Sequence, residues 1–396
     1  MSEEIRAIRP DEMDECLDLW AIVFECDGRG YFVPYFNGDP AFRPDYTRVC
    51  AVDRKLVSVV QICERKVHIG SSEILMGGIG NVATLKEYRG KGYSSKLLQD
   101  AVKVMYDCGL DHSVLFTGIQ PFYEKVGWRT VPIKNLSGQL KKDISDAETD
   151  GYSIRTCDWK SDMASVQSIH EAFNRSRSMT SPRLPDFWTG YILPRFSNSE
   201  FAVVAESKGV IVGYLIANLD EKELSLKEIG YIPEHKKCAE MLIRHAAGLA
   251  CGKKVEILQS NLPEEPEILA AIGKVTEQTE PKIADFMMCQ VINMPLLSER
   301  ILPELNKRAR ESGLVSGSVS LDTEQGNLTL TISDGKVSLG AANPTKVEVS
   351  VCNFFNLLLG LKGIEELDLS VPEEVGRIIS ELFPPQRVAL WPGDGF

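Results

Sequence analysis

Residues 81–94 read Asn81-Val-Ala-Thr-Leu-Lys-Glu-Tyr-Arg-Gly-Lys-Gly-Tyr-Ser94, and the order of these residues decides the fold. Asn81 to Leu85 close a strand-like run that begins at Gly77. After Ser94 comes an amphipathic stretch whose Leu97, Leu98, Ala101, Val102 and Met105 share one helical face. Arg89-Gly-Lys-Gly-Tyr-Ser therefore sits where a strand passes into a helix, and there the first helical N–H groups lack internal partners and can converge on an anion. Gly90 and Gly92 let backbone approach a phosphate closely, the helix dipole favours negative charge, and Arg89 or Lys91 adds a charged donor. Tyr93 follows Gly-Lys-Gly where a Walker A loop needs Ser or Thr, and Gly77, Gly78 and Gly80 precede a strand where a dinucleotide fingerprint follows one. The stretch reads as a phosphate cradle of neither kind.

Strand and helix patterns alternate on both sides of the cradle. Asp11 can cap a helix through Cys16, Leu17, Trp20 and Val23. Arg48 to Val52 and Leu56 to Arg65 read as strands, Lys66 to Ile69 and Glu73 to Met76 as a hairpin about Gly70, and His112 to Phe116 as a further strand. Pro121 opens a short helix carrying Phe122 and Tyr123, before a strand from Trp128 to Ile133. The polar stretch from Lys134 to Asp150 suits an exposed boundary, after which a similar order of elements repeats to about residue 290. Beyond Met294 the pattern changes to a helix, strands turned at Asp334-Gly335, and two further helices.

Composition sets outer limits. A chain of 396 residues exceeds what one core usually supports, so two or three domains are expected. The net charge of -12 opposes nonspecific binding to nucleic acid or an anionic membrane and suits a cationic substrate. The 10 cysteines form no CxxC and no cluster with histidine, so no metal site is expected. The charged start and the short apolar runs imply a cytoplasmic protein.

Asn81-Val-Ala-Thr, Arg89-Gly-Lys-Gly-Tyr and Pro121-Phe-Tyr-Glu-Lys-Val-Gly-Trp resemble the acetyl-CoA motifs of the GCN5-related N-acetyltransferases (GNAT). The resemblance implies that backbone groups of Val82, Ala83 and Thr84 bind pantetheine. It further implies that Arg89, Gly90, Lys91, Gly92, Tyr93 and Ser94 hold the pyrophosphate, Ser94 standing where Gly or Ala is usual. The whole chain resembles the Eis-type (enhanced intracellular survival) enzymes of that family. The fold class implied is α/β (α+β): a catalytic GNAT domain over 1–150, a degenerate GNAT-like domain over 151–290, and a sterol-carrier-like α+β domain over 291–396. The second unit has Tyr231-Ile-Pro-Glu-His-Lys-Lys-Cys in place of a glycine loop and is expected to bind no CoA.

Acyl transfer to an amine needs a proton donor for the leaving thiolate and an acceptor for the amine proton. Tyr123 reads as that donor or as an aromatic packed beneath the sheet, and the resemblance favours the donor. The apolar, proline-stiffened end at Phe396 reads as a stability anchor or as a docked carboxylate, and the resemblance makes that carboxylate the general base. Asp394 can bind a cationic amine or simply form a turn. Asp27, Tyr31, Tyr35 and Asp39 offer carboxylates and aromatic faces to such a cation, although their turn-rich setting reads first as ordinary loop. The function expected is acetyl-CoA-dependent N-acetylation of a cationic small-molecule amine or lysine-like group, with no metal, nucleic acid or membrane partner. A homo-oligomer is compatible with the sequence. The alternative is a noncatalytic sensor of acyl-CoA or an apolar ligand.

Overall fold

The computed structural model describes residues 2–26, 28–144, 151–340 and 343–396. The architecture is mixed α/β, with three sheets among the described residues. The first sheet runs in space Glu3–Ala7, Thr47–Val52, Lys55–Ile69, Ser72–Thr84, His112–Phe116, Met287–Val291 and Arg129–Thr130. Only Ser72–Thr84 and His112–Phe116 pair in parallel. Stretches expected as separate strands fuse: Lys55–Ile69 is one strand of 15 residues and Ser72–Thr84 one of 13, closed by the turn at Gly70. The helix Tyr93–Asp107 covers one face with Leu97, Leu98, Ala101 and Met105.

The second sheet runs Thr276–Ala284, Ile133–Leu140, Ile257–Ser260, Glu223–Tyr231, Val210–Leu219, Glu200–Ser207 and Tyr152–Thr156. Two strands are thus exchanged between neighbouring sheets. Ile133–Leu140 leaves the first unit to lie inside the second sheet, and Met287–Val291 returns to lie inside the first. The polar boundary expected from Lys134 is therefore corrected: its first part is an inner strand. Leu136, Gly138 and Leu140 are buried while Lys134 and Gln139 are exposed, so alternation, not solvation, made it look polar. Its end, 145–150, lies outside the described residues. At the level of sheets, the units expected at 1–150, 151–290 and 291–396 interleave.

The third sheet is Lys336–Leu339, Gly326–Ser333, Gly317–Thr323 and Thr345–Glu348, with helices Met294–Ser312, Val351–Leu359 and Glu373–Leu382 around it. An apolar core containing Trp20, Tyr35, Trp188 and Tyr191 joins the first two units. Another joins the C-terminal unit to Val67, Met76 and Val114 of the first sheet. No helix among the described residues is long and apolar enough to cross a membrane.

After Leu382 the chain runs back across the second unit. The N–H of Ser178 donates to Arg387 O at 2.8 Å and the N–H of Ala389 to Ser178 O at 3.1 Å. The Trp391 indole donates to Asn174 Oδ1 at 2.9 Å. The tail ends at Phe396, on the first sheet.

Candidate active site

Pairing between Ser72–Thr84 and His112–Phe116 stops where Gly78 faces Val114. Beyond that point the strands diverge and leave a wedge beside Ile79 to Thr84. The cause is local: Asn81 has a φ of 51°, and the register with Lys55–Ile69 slips between Val59 and Gln61. Two bonds hold this bulge, from the Trp20 indole to Asn81 O at 2.8 Å and from the Asn81 amide to Gln61 Oε1 at 2.8 Å. Val82, Ala83 and Thr84 thus edge the wedge.

At the wide end of the wedge lies the cradle. Gly90 and Gly92 have φ of +77° and +80°, a left-handed conformation that side chains rarely adopt, and space above both is open. No side chain caps the helix, and Lys96 N–H is bonded to Gly92 O at 3.1 Å. The N–H groups of Tyr93 and Ser94 thus precede the helical ladder and are available to an anion. Lys91 is exposed beside the Tyr88 ring, 4.8 Å from its centroid. Arg89 ties the loop down instead, donating from Nε to Thr84 O at 3.1 Å. The Ser94 hydroxyl joins a chain with Thr84 Oγ1 at 2.6 Å and, beyond it, Ser58 Oγ at 2.7 Å. It pins helix to strand.

Tyr123 sits on the short helix Gln120–Glu124, buried edge-on between Phe122 and Trp128 in the same apolar cluster as Ile79, Leu97 and Leu115. Burial pushes its phenol up to about 12, so it stays protonated at neutral pH.

On the opposite face of the sheet, Phe396 occupies the space that side chains at positions 78 and 80 would fill. The ring lies against Gly78, and a Cβ on Gly80 would stand 2.9 Å from the Phe396 carboxyl carbon. Phe116 flanks the ring at 5.6 Å between centroids. The tail is anchored just before its end. Gly395 O accepts from Tyr191 Oη at 2.9 Å and Arg195 Nη1 at 3.1 Å, and Asp394 Oδ1 accepts from Arg183 Nε at 2.6 Å. Arg183 is fully buried and also donates bidentately to Glu228 at 2.9 and 2.8 Å, and Glu228 accepts from Tyr214 at 2.8 Å. The second unit thus supplies most of the terminal clamp, and Arg65 of the first sheet adds a bond from Nε to Asp394 O at 3.4 Å.

Two expectations change. Asp394 faces Arg183 within this buried network, so it positions the tail rather than receiving an amine. Asp39 is buried against Arg65 at 2.8 Å, and Arg65 in turn packs over Phe187 and Tyr191, so Asp39 offers no free carboxylate. Tyr35 is buried, Tyr31 is exposed, and Asp27 lies outside the described residues. The clamp itself escaped the sequence reading. Glu228 pairs with Ile216 and Leu226 with Ala217 across a register shift, so the carboxylate turns to the face opposite Leu226, where Tyr214 and Arg183 meet it.

Residues 4–131 match the acetyltransferase (GNAT) domain family. A 90-residue stretch, 22% of this chain, is 34% identical to N-alpha-acetyltransferase 30 of Schizosaccharomyces pombe (strain 972 / ATCC 24843), of which the match spans 58%. Along the whole chain the fold is similar to that of a probable N-acyltransferase from Enterococcus faecalis V583, with TM-score 0.75 and 18% identity over 98% of this chain and 99% of that one. It is also similar to Eis1 from Mycobacterium abscessus, with TM-score 0.65 and 12% identity over 100% of both. The chain thus carries a GNAT acetyltransferase domain at residues 4–131, within a mixed α/β fold shared along its length with these structures.

Proposed function

We propose that the protein is an acetyl-CoA-dependent N-acetyltransferase that acetylates a primary amine by direct transfer. The observation that carries this reading is the meeting of the strand wedge, the glycine cradle and the Phe396 carboxyl group around one stretch, Gly78 to Ser94. The wedge and the open cradle fit an extended cofactor arm with a pyrophosphate, and acetyl-CoA would supply an activated acyl group as a thioester. Val82, Ala83 and Thr84 orient the arm, and the backbone from Gly90 to Ser94 with Lys91 holds the phosphates. In the transfer, the amine nitrogen takes the acyl group as the carbon–sulfur bond breaks. The proton lost by nitrogen passes to the Phe396 carboxylate, and the departing thiolate takes one from the Tyr123 hydroxyl.

In this reading the first unit is catalytic and the second is a degenerate copy without a cofactor loop. The C-terminal unit, resembling a sterol carrier domain, supplies the carboxylate. CoA release with a panel of primary amines tests the activity. A protein that binds acetyl-CoA yet releases no CoA with any amine is a sensor instead.

A further inference from the structure

A cavity of about 570 Å³ is lined from all three units, within the range of roughly 300–1,000 Å³ typical of small-molecule pockets. Val67, Met76, Val114 and Phe116 of the first sheet and Phe286 make its interior apolar, and Phe396 forms one wall. Its charges are polarised. Lys134, Lys362 and Arg387 lie at its exposed edge, and none has an ion pair or side-chain hydrogen bond among the described residues. Of the carboxylates in the lining, Glu265 is neutralised by Arg177 at 2.5 Å and Asp394 by Arg183, which leaves Glu264 against three cations. In a chain of net charge -12, this rim is a local inversion. At the other end stands Phe396, its ring over Gly78 and its carboxyl carbon beside Gly80, and the α-carboxylate has no cation partner among the described residues.

We propose that this cavity is the acceptor subsite and that it selects an amphipathic amino acid: a primary amine at the Phe396 end, an apolar body, and a carboxylate at the rim. The proposal rests on the reading of Phe396 as the group that receives the amine proton. Each end of such a molecule meets the opposite charge, and its body covers the apolar wall. A polyamine of similar length meets Lys134, Lys362 and Arg387 with its second cation, so the rim selects against the cationic acceptors that overall charge suggests. A simple alkylamine forfeits the rim contacts.

The test is calorimetric binding of 8-aminooctanoate, octylamine and spermidine to the full chain without acetyl-CoA, followed by CoA release with each. The expected result is 8-aminooctanoate binding about tenfold or more tighter than either amine. Reversing the rim with K134E, K362E and R387E together should remove that preference and favour spermidine. Lys134 and Arg387 are exposed and Lys362 half-buried, so the urea midpoint of the variant should stay close to that of the parent, which is measured alongside. Spermidine preferred by the unmodified protein, or an unchanged order in the rim variant, overturns the proposal even if amines are acetylated. The expected binding order without CoA release from any amine supports the subsite and overturns the acetyl-transfer reading instead.

Discussion

The ring of Phe396 lies directly on Gly78, more than 300 residues earlier in the chain, and fills the space a side chain there would need. Gly78→Ala should therefore displace the tail. The expected cost is about 1–3 kcal/mol of stability, typical of overpacking. Turnover should fall further than stability alone predicts while affinity for acetyl-CoA is unchanged, measured by urea titration, CoA release and calorimetry. Intact turnover would separate the Phe396 carboxylate from the chemistry, as would full activity in a protein extended by one residue after Phe396.

Tyr123→Phe removes a hydroxyl with no hydrogen-bonding partner among the described residues, so the folded state should lose little. If the hydroxyl protonates the thiolate, turnover should drop roughly 100- to 10,000-fold at unchanged acetyl-CoA affinity. Burial raises this phenol from its ordinary value of 10.0 to about 12, which disfavours the phenolate in the folded protein. Its contribution to stability is complete below pH 10 and is lost as pH rises through about 12. Any alkaline limb of the rate profile near pH 8 to 9 must then have another origin, and the same limb should persist in the residual activity of Tyr123→Phe.

Buried Arg183 neutralises two carboxylates at once, Glu228 and Asp394. Arg183→Met strands both, and the expected loss is about 3–5 kcal/mol, with the tail opened to proteolysis. Glu228→Gln should cost less, because Arg183 retains Asp394. Equal stability losses in the two variants would refute this account of the clamp.

Gly92 bends the cradle with a φ of +80°. Gly92→Ala must adopt or avoid that left-handed conformation at a cost of about 1–2 kcal/mol. Affinity for acetyl-CoA should fall about tenfold, with the amine KM unaffected. A matched fall in both would point to a general loss of folding.

His112 lines the large cavity, and burial holds it well below its ordinary 6.5, at about 3. The unfolded chain binds this proton first, so the stability that neutral His112 contributes is present above pH 6.5 and lost as pH falls towards 3. His170 is buried and shifted in the same direction. Urea midpoints should therefore decline on acidification below pH 6.5, and His112→Gln should flatten the decline by up to about 1.4 kcal/mol per pH unit.

The parts of this molecule legible from sequence are those whose physics is local. The passage from Thr84 to Tyr93 announced itself because glycines, cations and an amphipathic helix stand within a few residues, and hairpins such as that at Asp334-Gly335 need only their own turn. Strand exchange was illegible because Ile133–Leu140 and Met287–Val291 look like any short strand, and their partners are chosen by sheet edges far away in sequence. Gly77, Gly78 and Gly80 were visible as glycines, but not their use, since Phe396 supplies the reason. The pairing of Asp394 with Arg183 likewise depends on where the tail is led by Ser178 and Asn174.

The exchanged strand also governs how the chain must be made. Until Met287–Val291 has emerged, His112–Phe116 presents an unpaired edge, and every residue of the missing strand is one that the finished protein buries. At roughly 5–20 residues per second, the interval between synthesis of Thr130 and Val291 lasts on the order of ten to thirty seconds. The nascent acetyltransferase domain spends that time open to mispairing. Fragments cut near residue 150 should be insoluble for the same reason, and co-expression of a segment containing 287–291 should rescue them.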